Sequence, residues 1–320
     1  MRYSKRLLRA GKLLRAGLAL QRSVLEAWAP SPRASKQRGF PIEPGRFVEH
    51  TYRNRAGQRH YKVYAPTNPP AGALPLVVML HGCSQSADDF AAATRMNALA
   101  EELGFVAVYP MQSSRANAAK CWNWFEALHQ RRNEGEPSLI AGITRRILRQ
   151  GIDPCRVYVA GLSAGGAMAA VMGAEYPDLY TAIGVHSGLP HGVAQDLRSA
   201  LAAMNGRRSR EDDSECRQMA APGIPIIAFH GDEDTTVHPS NSDFIGSPGS
   251  RIAAERGRRN GRSFTRTVHF DASGRPRVEQ WLVHGAGHAW FGGHPGASFA
   301  DPQGPDASRE MLRFFLSHAR

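Results

Sequence analysis

Arg156-Val157-Tyr158-Val159-Ala160-Gly161-Leu162-Ser163-Ala164-Gly165-Gly166-Ala167-Met168-Ala169 begins as a β-branched and aromatic run. It turns abruptly and continues as small, helix-compatible residues up to Pro177. The first part reads as a fully buried strand and the part after Ser163 as a helix. At the apex between them a serine sits inside a G-x-S-x-G pattern. A serine so placed is held on a sharp, strained turn, its hydroxyl lifted clear at the carboxyl edge of a sheet. Gly161 and Gly165 suit that corner because a side chain at either place would collide where strand and helix come close. The pattern has only three fixed places, but chance matches seldom fall between a buried strand and a small-residue helix.

The remaining body, from about residue 45, alternates strands and helices. Arg46–Arg53 and Gln58–Ala65 flank the turn Asn54-Arg55-Ala56-Gly57, a hairpin signal. Leu74–Leu80, Phe105–Tyr109, Arg156–Ala160, Tyr180–Val185, Ile224–Phe229 and Arg277–Val283 complete a set of eight strands. Helices are expected near 87–103, 137–150, 164–176 and 308–319. Near-continuous apolar strands interspersed with helices predict an α/β fold, a mostly parallel eight-stranded sheet with helices on both faces. Gly246–Arg262, rich in Gly and Arg, reads as a long surface loop.

The formal charge of +12 invites a nucleic-acid or membrane partner. Its distribution excludes the first. Residues 1–40 hold ten of the 40 Lys/Arg and one of the 28 acidic residues, so the body is close to neutral. The clusters at Arg207–Arg210 and Arg256–Arg262 have no interleaved aromatics for base stacking and read as solvated loop faces. In residues 1–29, Leu7, Leu14, Leu18, Leu25 and Trp28 recur near helical period, with Lys5, Arg9, Lys12, Arg15 and Arg22 on other faces. The favoured reading is a basic amphipathic helix lying on an anionic or apolar surface, such as a granule or membrane. An export segment of poor quality and a disordered tail are the alternatives. A Pro/Ser/basic linker follows to Pro44, separating a segment 1–44 from a catalytic domain 45–320. The four cysteines (Cys83, Cys121, Cys155, Cys216) lack C-x-x-C or Cys/His metal spacing, so no zinc or other metal is expected. Two disulfides or buried thiols are both open.

A serine hydroxyl is a weak nucleophile, so it needs a base and a third group to orient that base. Ser163 follows the fifth expected strand. The turn after the seventh reads His230-Gly231-Asp232-Glu233-Asp234, and the turn after the eighth reads His284-Gly285-Ala286-Gly287-His288. The order Ser, Asp, His, each at a strand's carboxyl end, is that of α/β-hydrolases. Among Asp232, Glu233 and Asp234, Asp232 lies so near the strand that it caps the turn, and Asp234 is preferred as the acid. His288 is preferred as the base and His284 as structural. The other histidines, His186 and His191 included, read as surface or packed residues. Oxyanion donors are expected from Ala164 N–H and from the loop His81-Gly82-Cys83, with Cys83 N–H as second donor and His81 bracing the loop. Cys121-Trp122-Asn123-Trp124-Phe125 is either core or, through Trp122 and Trp124, the wall of an acyl pocket. Trp290 is a second pocket candidate.

These residues together resemble the polyhydroxybutyrate depolymerase family of esterases, catalytic-domain type 1. The matching motifs are LHGCSQ at 80–85, CWNWF at 121–125, RVYVAGLSAGGAMA at 156–169, HGDEDTTV at 230–237, GAGHAWFGG at 285–293 and DPQGPDASREMLRFF at 301–315. The resemblance implies Ser163 as nucleophile, Asp234 as acid, His288 as base and the His81–Cys83 loop as oxyanion site, with no cofactor. It implies an extracellular serine esterase acting on short-chain polyhydroxyalkanoate or its oligomers. Many secreted members carry a further substrate-binding domain, which is not expected after the last helix here, and no clear export signal is read. A granule-bound cytoplasmic enzyme is the alternative location. Feruloyl and acetylxylan esterases share the fold and triad, and a non-catalytic surface protein is the rival from another class.

Overall fold

The computed structural model describes residues 42–207, 224–244 and 251–320. Segment 1–29, most of the linker after it, positions 208–210 and Cys216 lie outside these residues.

All eight expected strands form: β1 (Phe47–Asn54), β2 (Gly57–Tyr64), β3 (Leu74–Leu80), β4 (Val106–Pro110), β5 (Ile152–Leu162), β6 (Ala182–His186), β7 (Ile226–Gly231) and, last in chain order, β10 (Pro276–Val283). Two more, β8 (Arg251–Arg259) and β9 (Arg262–Phe270), make the sheet ten-stranded, in the order β1-β2-β4-β3-β5-β6-β7-β10-β9-β8. The six strands from β4 to β10 run parallel, and antiparallel pairs close both edges.

The expected surface loop at Gly246–Arg262 is therefore corrected: most of it is β8 and the turn into β9. Apolar alternation was missing for a physical reason. From Ile252 onward almost every β8 side chain is exposed, so the strand has no buried face to mark. A charged outermost strand also discourages pairing with another chain. Its neighbour β9 does show the period, burying Phe264 and Val268.

The helices are α1 (Ala87–Thr94), α2 (Met96–Leu103), α3 (Gly135–Leu148), α4 (Ala164–Glu175), α5 (Leu197–Met204) and α6 (Ala307–Leu316). The single helix expected over 87–103 is two, broken at Arg95 with φ 54°. Alternation in β3 divides the core. Leu76, Val78 and Leu80 pack with α3 and α4, while Val77 and Met79 pack on the opposite face with α1, α2 and α6. Burying each such side chain contributes roughly 1.5–3 kcal/mol, which fixes the register of the central strands. Among the described residues no helix is long and apolar enough to cross a membrane. A short parallel pair, β11 (Trp290–Phe291) with β12 (Ala300–Asp301), anchors the segment after β10.

Candidate active site

β5 ends at Leu162 and α4 begins at Ala164, leaving Ser163 alone at the corner with φ 57° and ψ −121°. That conformation costs a non-glycine residue about 1–3 kcal/mol and persists only where the surroundings enforce it. Here they do. A Cβ on Gly161 would meet Gly165 backbone at 2.3 Å, and one on Gly165 would meet the Leu80 carbonyl at 2.0 Å. The Ser163 amide donates to His186 O at 2.9 Å, tying the corner to the end of β6. Its side chain makes no capping bond to α4, so the hydroxyl stays out of the helix hydrogen-bond system.

At the ends of β7 and β10 two turns cross. A Cβ on Gly231 would meet Ala286 O at 2.1 Å, so only glycine admits this approach. His288 donates from Nδ1 to Asp234 Oδ2 at 2.7 Å. Asp234 also accepts from the amides of Thr236 (2.9 Å) and Val237 (2.8 Å) through Oδ1. Its side chain has no exposed surface. Burial alone would raise the Asp234 carboxyl, but the ring of His230 close by and hydrogen bonds from His288 and the Val237 amide hold it well below the usual range. With Nδ1–H committed to an ionised partner, His288 keeps Nε2 as an acceptor, the tautomer a general base needs.

Asp232 does something else. It accepts from His284 Nδ1 at 2.7 Å and from the Gly285 amide at 2.7 Å, and His284 Nε2 accepts from Thr265 Oγ1 at 2.9 Å. This pair clamps the turn, as expected for a cap and a structural histidine. Glu233 is exposed.

The loop after β3 lies against the serine corner: the Leu80 and His81 carbonyls are the nearest atoms to a Cβ on Gly165. His81 is fully buried, donating from Nδ1 to Gly82 O (2.7 Å) and accepting at Nε2 from the Gln112 amide (3.0 Å). Burial lowers its pKa to about 4, so the ring is neutral and both nitrogens are occupied. His81 is thus a brace, and its side chain has no donor left for an oxyanion. Cys83 and Ala164 amides donate to no backbone acceptor among the described residues.

Cys83 and Cys121 form a disulfide, which resolves half of the open cysteine question, while Cys155 is free. The bond ties the loop to the aromatic segment beside it. Trp122 and Trp290 are fully buried, with indole N–H groups given to His81 O (3.1 Å) and Ser308 Oγ (3.0 Å). Both are core and have no surface to line a pocket. Of the three candidates only Trp124 keeps a small exposed fraction, edge-on to Phe125.

Two histidines the sequence reading left without a role stand here. His230 donates from Nε2 to Val237 O (2.8 Å) and lies 3.4 Å from Asp234 Oδ2. His186, at the end of β6, is stacked on Phe229 and Trp290 and accepts from the Phe291 amide at 3.1 Å. Burial pushes its pKa far down, so it serves as a neutral packing and hydrogen-bonding ring. His191, half-buried, bonds Gln130 O.

Residues 59–265 match the family described as esterase PHB depolymerase. The chain is 35% identical over 241 residues to poly(3-hydroxyalkanoate) depolymerase C of Paucimonas lemoignei, covering 70% of this chain and 57% of that protein. It is 27% identical to poly(3-hydroxybutyrate) depolymerase of Ralstonia pickettii, covering 76% of this chain and 53% of the other. It therefore spans little more than half the length of those two relatives. Feruloyl esterase B of Neurospora crassa is 26% identical, with 75% and 82% covered. Among solved structures, an acetyl xylan esterase from Aspergillus awamori superposes with a TM-score of 0.63 at 19% identity, covering 81% of this chain and 94% of that one, a likeness of fold. The expected α/β-hydrolase architecture is the one found, and the family match runs over well more than half of the sequence. The chain belongs to the PHB depolymerase family of esterases.

Proposed function

We propose that this chain is a carboxylic ester hydrolase that works through a Ser163–His288–Asp234 triad on short-chain polyhydroxyalkanoate, poly-3-hydroxybutyrate or its oligomers. The observation that carries the triad is the 2.7 Å bond from His288 Nδ1 to the buried Asp234 carboxylate. It is supported by Ser163, held at positive φ with its hydroxyl uncapped and its amide bonded to the carbonyl of His186. The substrate class is supported by the depolymerase relatives.

The steps follow from the bond between His288 Nδ1 and the Asp234 carboxylate, which leaves Nε2 to act as the base. Nε2 of His288 accepts the Ser163 proton as Oγ attacks the ester carbonyl. The amides of Cys83 and Ala164 donate to the carbonyl oxygen as it becomes negative, and one such donor is worth about 3 kcal/mol of barrier. His288 returns the proton to the leaving alkoxide, which departs as a hydroxyl end. Water then gives one proton to His288 as its oxygen attacks the acyl-enzyme, His288 passes that proton to the departing Ser163 Oγ, and the carboxylic acid released loses its own proton to solvent. Asp234 holds the ring and stabilises its charged form throughout.

Feruloyl or acetylxylan esterase activity is the second reading, favoured by the Neurospora crassa relative and the Aspergillus awamori structure. The experiment is product analysis on amorphous poly-3-hydroxybutyrate beside feruloyl and acetyl esters, with Ser163→Ala as control. Release of 3-hydroxybutyrate in preference to ferulate or acetate is expected, together with an inactive control. Hydrolysis persisting in Ser163→Ala would remove the triad. An extracellular location goes with this reading, and assay of culture medium against cell extract tests it.

A further inference from the structure

The carboxylate of Glu136, in the first turn of α3, is fully buried and lies outside the triad. It accepts four hydrogen bonds. Oε1 takes Arg59 Nη2 (3.1 Å), Asn123 Nδ2 (3.0 Å) and Gln112 Nε2, and Oε2 takes the Asn123 amide (2.9 Å). Three of the four donors belong to the two segments that grip the loop after β3. Gln112 gives its amide to His81 Nε2 and its side chain to Cys121 O as well as to Glu136. Asn123 follows Trp122, whose indole holds His81 O, and Cys121, whose sulfur is bonded to Cys83. The fourth donor, Arg59, is a buried counter-charge from β2.

We infer that Glu136 is a positioning residue for the oxyanion loop: it fixes Gln112 and Asn123, and through them the ring of His81 and the amide of Cys83. Among the described residues these four donors converge on this one carboxylate. A glutamine there has one acceptor oxygen. If that oxygen takes the Oε1 place, its NH2 faces the Asn123 amide, and if reversed, it faces three donors. Either way Asn123 or Gln112 must turn, and the loop shifts with it. A small displacement of an oxyanion donor costs the transition state, in which the oxyanion is formed, more than the bound ester.

This inference rests on the triad and oxyanion reading above. Its test is Glu136→Gln in the full chain, assayed on a soluble p-nitrophenyl ester well below the melting midpoint. Affinity for an alkyl boronic acid, which forms a tetrahedral adduct with the serine, is measured alongside. A folded Glu136→Gln is expected to lose about ten- to a hundredfold in kcat. KM should change less than about threefold, and the boronate inhibition constant should rise by the same factor as kcat falls. Gln112→Met removes the side-chain donor but keeps the backbone bond to His81, and should show a smaller loss with the same signature. If Glu136→Gln does not fold, Gln112→Met decides alone. Unchanged kcat and boronate affinity in a folded variant would overturn the proposal, as would a loss of activity that merely tracks the folded fraction. An active Ser163→Ala would instead sink the underlying triad reading.

Discussion

Asp232 and Asp234 end the same turn, two positions apart, and take different histidines. Asp234 is buried and bonded to His288, whereas Asp232 is partly exposed and bonded to His284. The two substitutions should therefore differ. Asp234→Asn is expected to lower kcat by about 10³–10⁴-fold, because the amide no longer holds His288 in the required tautomer. Asp232→Asn removes a partly exposed pair worth at most about 1 kcal/mol and should leave kcat within about threefold. Steady-state rates on a soluble ester with melting midpoints for both variants check this, and equal losses in kcat would break the assignment. Asp234 was legible in the sequence because distance from the strand end separates a turn cap from a side chain that reaches across. His230 was not: it lies inside its strand, and only the fold of the following turn brings Asp234 back over it.

The corner between β5 and α4 depends on what it lacks. Gly165→Ala would place a methyl 2.0 Å from the Leu80 carbonyl, backbone that cannot give way without moving β3. Loss of soluble, folded protein or a destabilisation above about 3 kcal/mol is expected, read by denaturant unfolding, and a fully stable, active Gly165→Ala would contradict the packing. The Cys83–Cys121 bond acts on the neighbouring loop. Cross-linking residues 38 apart stabilises by roughly 2–4 kcal/mol through the unfolded chain. Cys121→Ser should lower the denaturant midpoint and also reduce kcat, because the Cys83 amide loses its tether. A lowered midpoint with unchanged kcat would mean that His81 and Trp122 hold the loop unaided. Elements with a buried face were readable, as β3 and β5 show, since burial imposes a period. β8 was not, because an outer charged strand is recruited by the backbone hydrogen bonds of β9 and carries no apolar pattern of its own.

For the molecule as a whole, acid is the expected weakness. Unfolded histidine takes its proton near pH 6.5, while folded His81 does so only at about 4. Between those values the unfolded state binds more protons, so stability falls as pH drops from about 6.5 to about 4 and levels off below. The loss from His81 is about 3 kcal/mol, with His186 contributing in the same direction. Asp234 acts at lower pH: its depressed carboxyl stabilises the fold above the ordinary carboxylate range, and that contribution is lost as pH falls below it. Unfolding midpoints at pH 7, 5.5 and 4.5 should therefore decline steadily. His81→Gln should flatten the decline, and an unchanged slope in that variant would show that the acid sensitivity lies elsewhere. The basic segment 1–29 makes a separate prediction. Deleting residues 1–40 should weaken adhesion to polyester granules or anionic vesicles in a sedimentation assay while soluble-ester hydrolysis stays within about twofold. Undiminished adhesion would refute the surface-binding role.

Local chemistry written along the chain was enough for the strand–serine–helix corner, the run of buried strands, and the three candidate residues, each just past a strand end. Each depends on neighbours a few positions away: glycines that avoid a clash, apolar runs that must be covered, side chains just past a strand. What the folded chain alone revealed depends on contacts between distant segments. The pairing of Cys83 with Cys121, the burial of Trp122 and Trp290, and the convergence of Arg59, Gln112 and Asn123 on Glu136 are of that kind. A glutamate at the start of a helix carries no mark that it will be buried. Which groups meet it is set by how β2, β4 and α3 pack together.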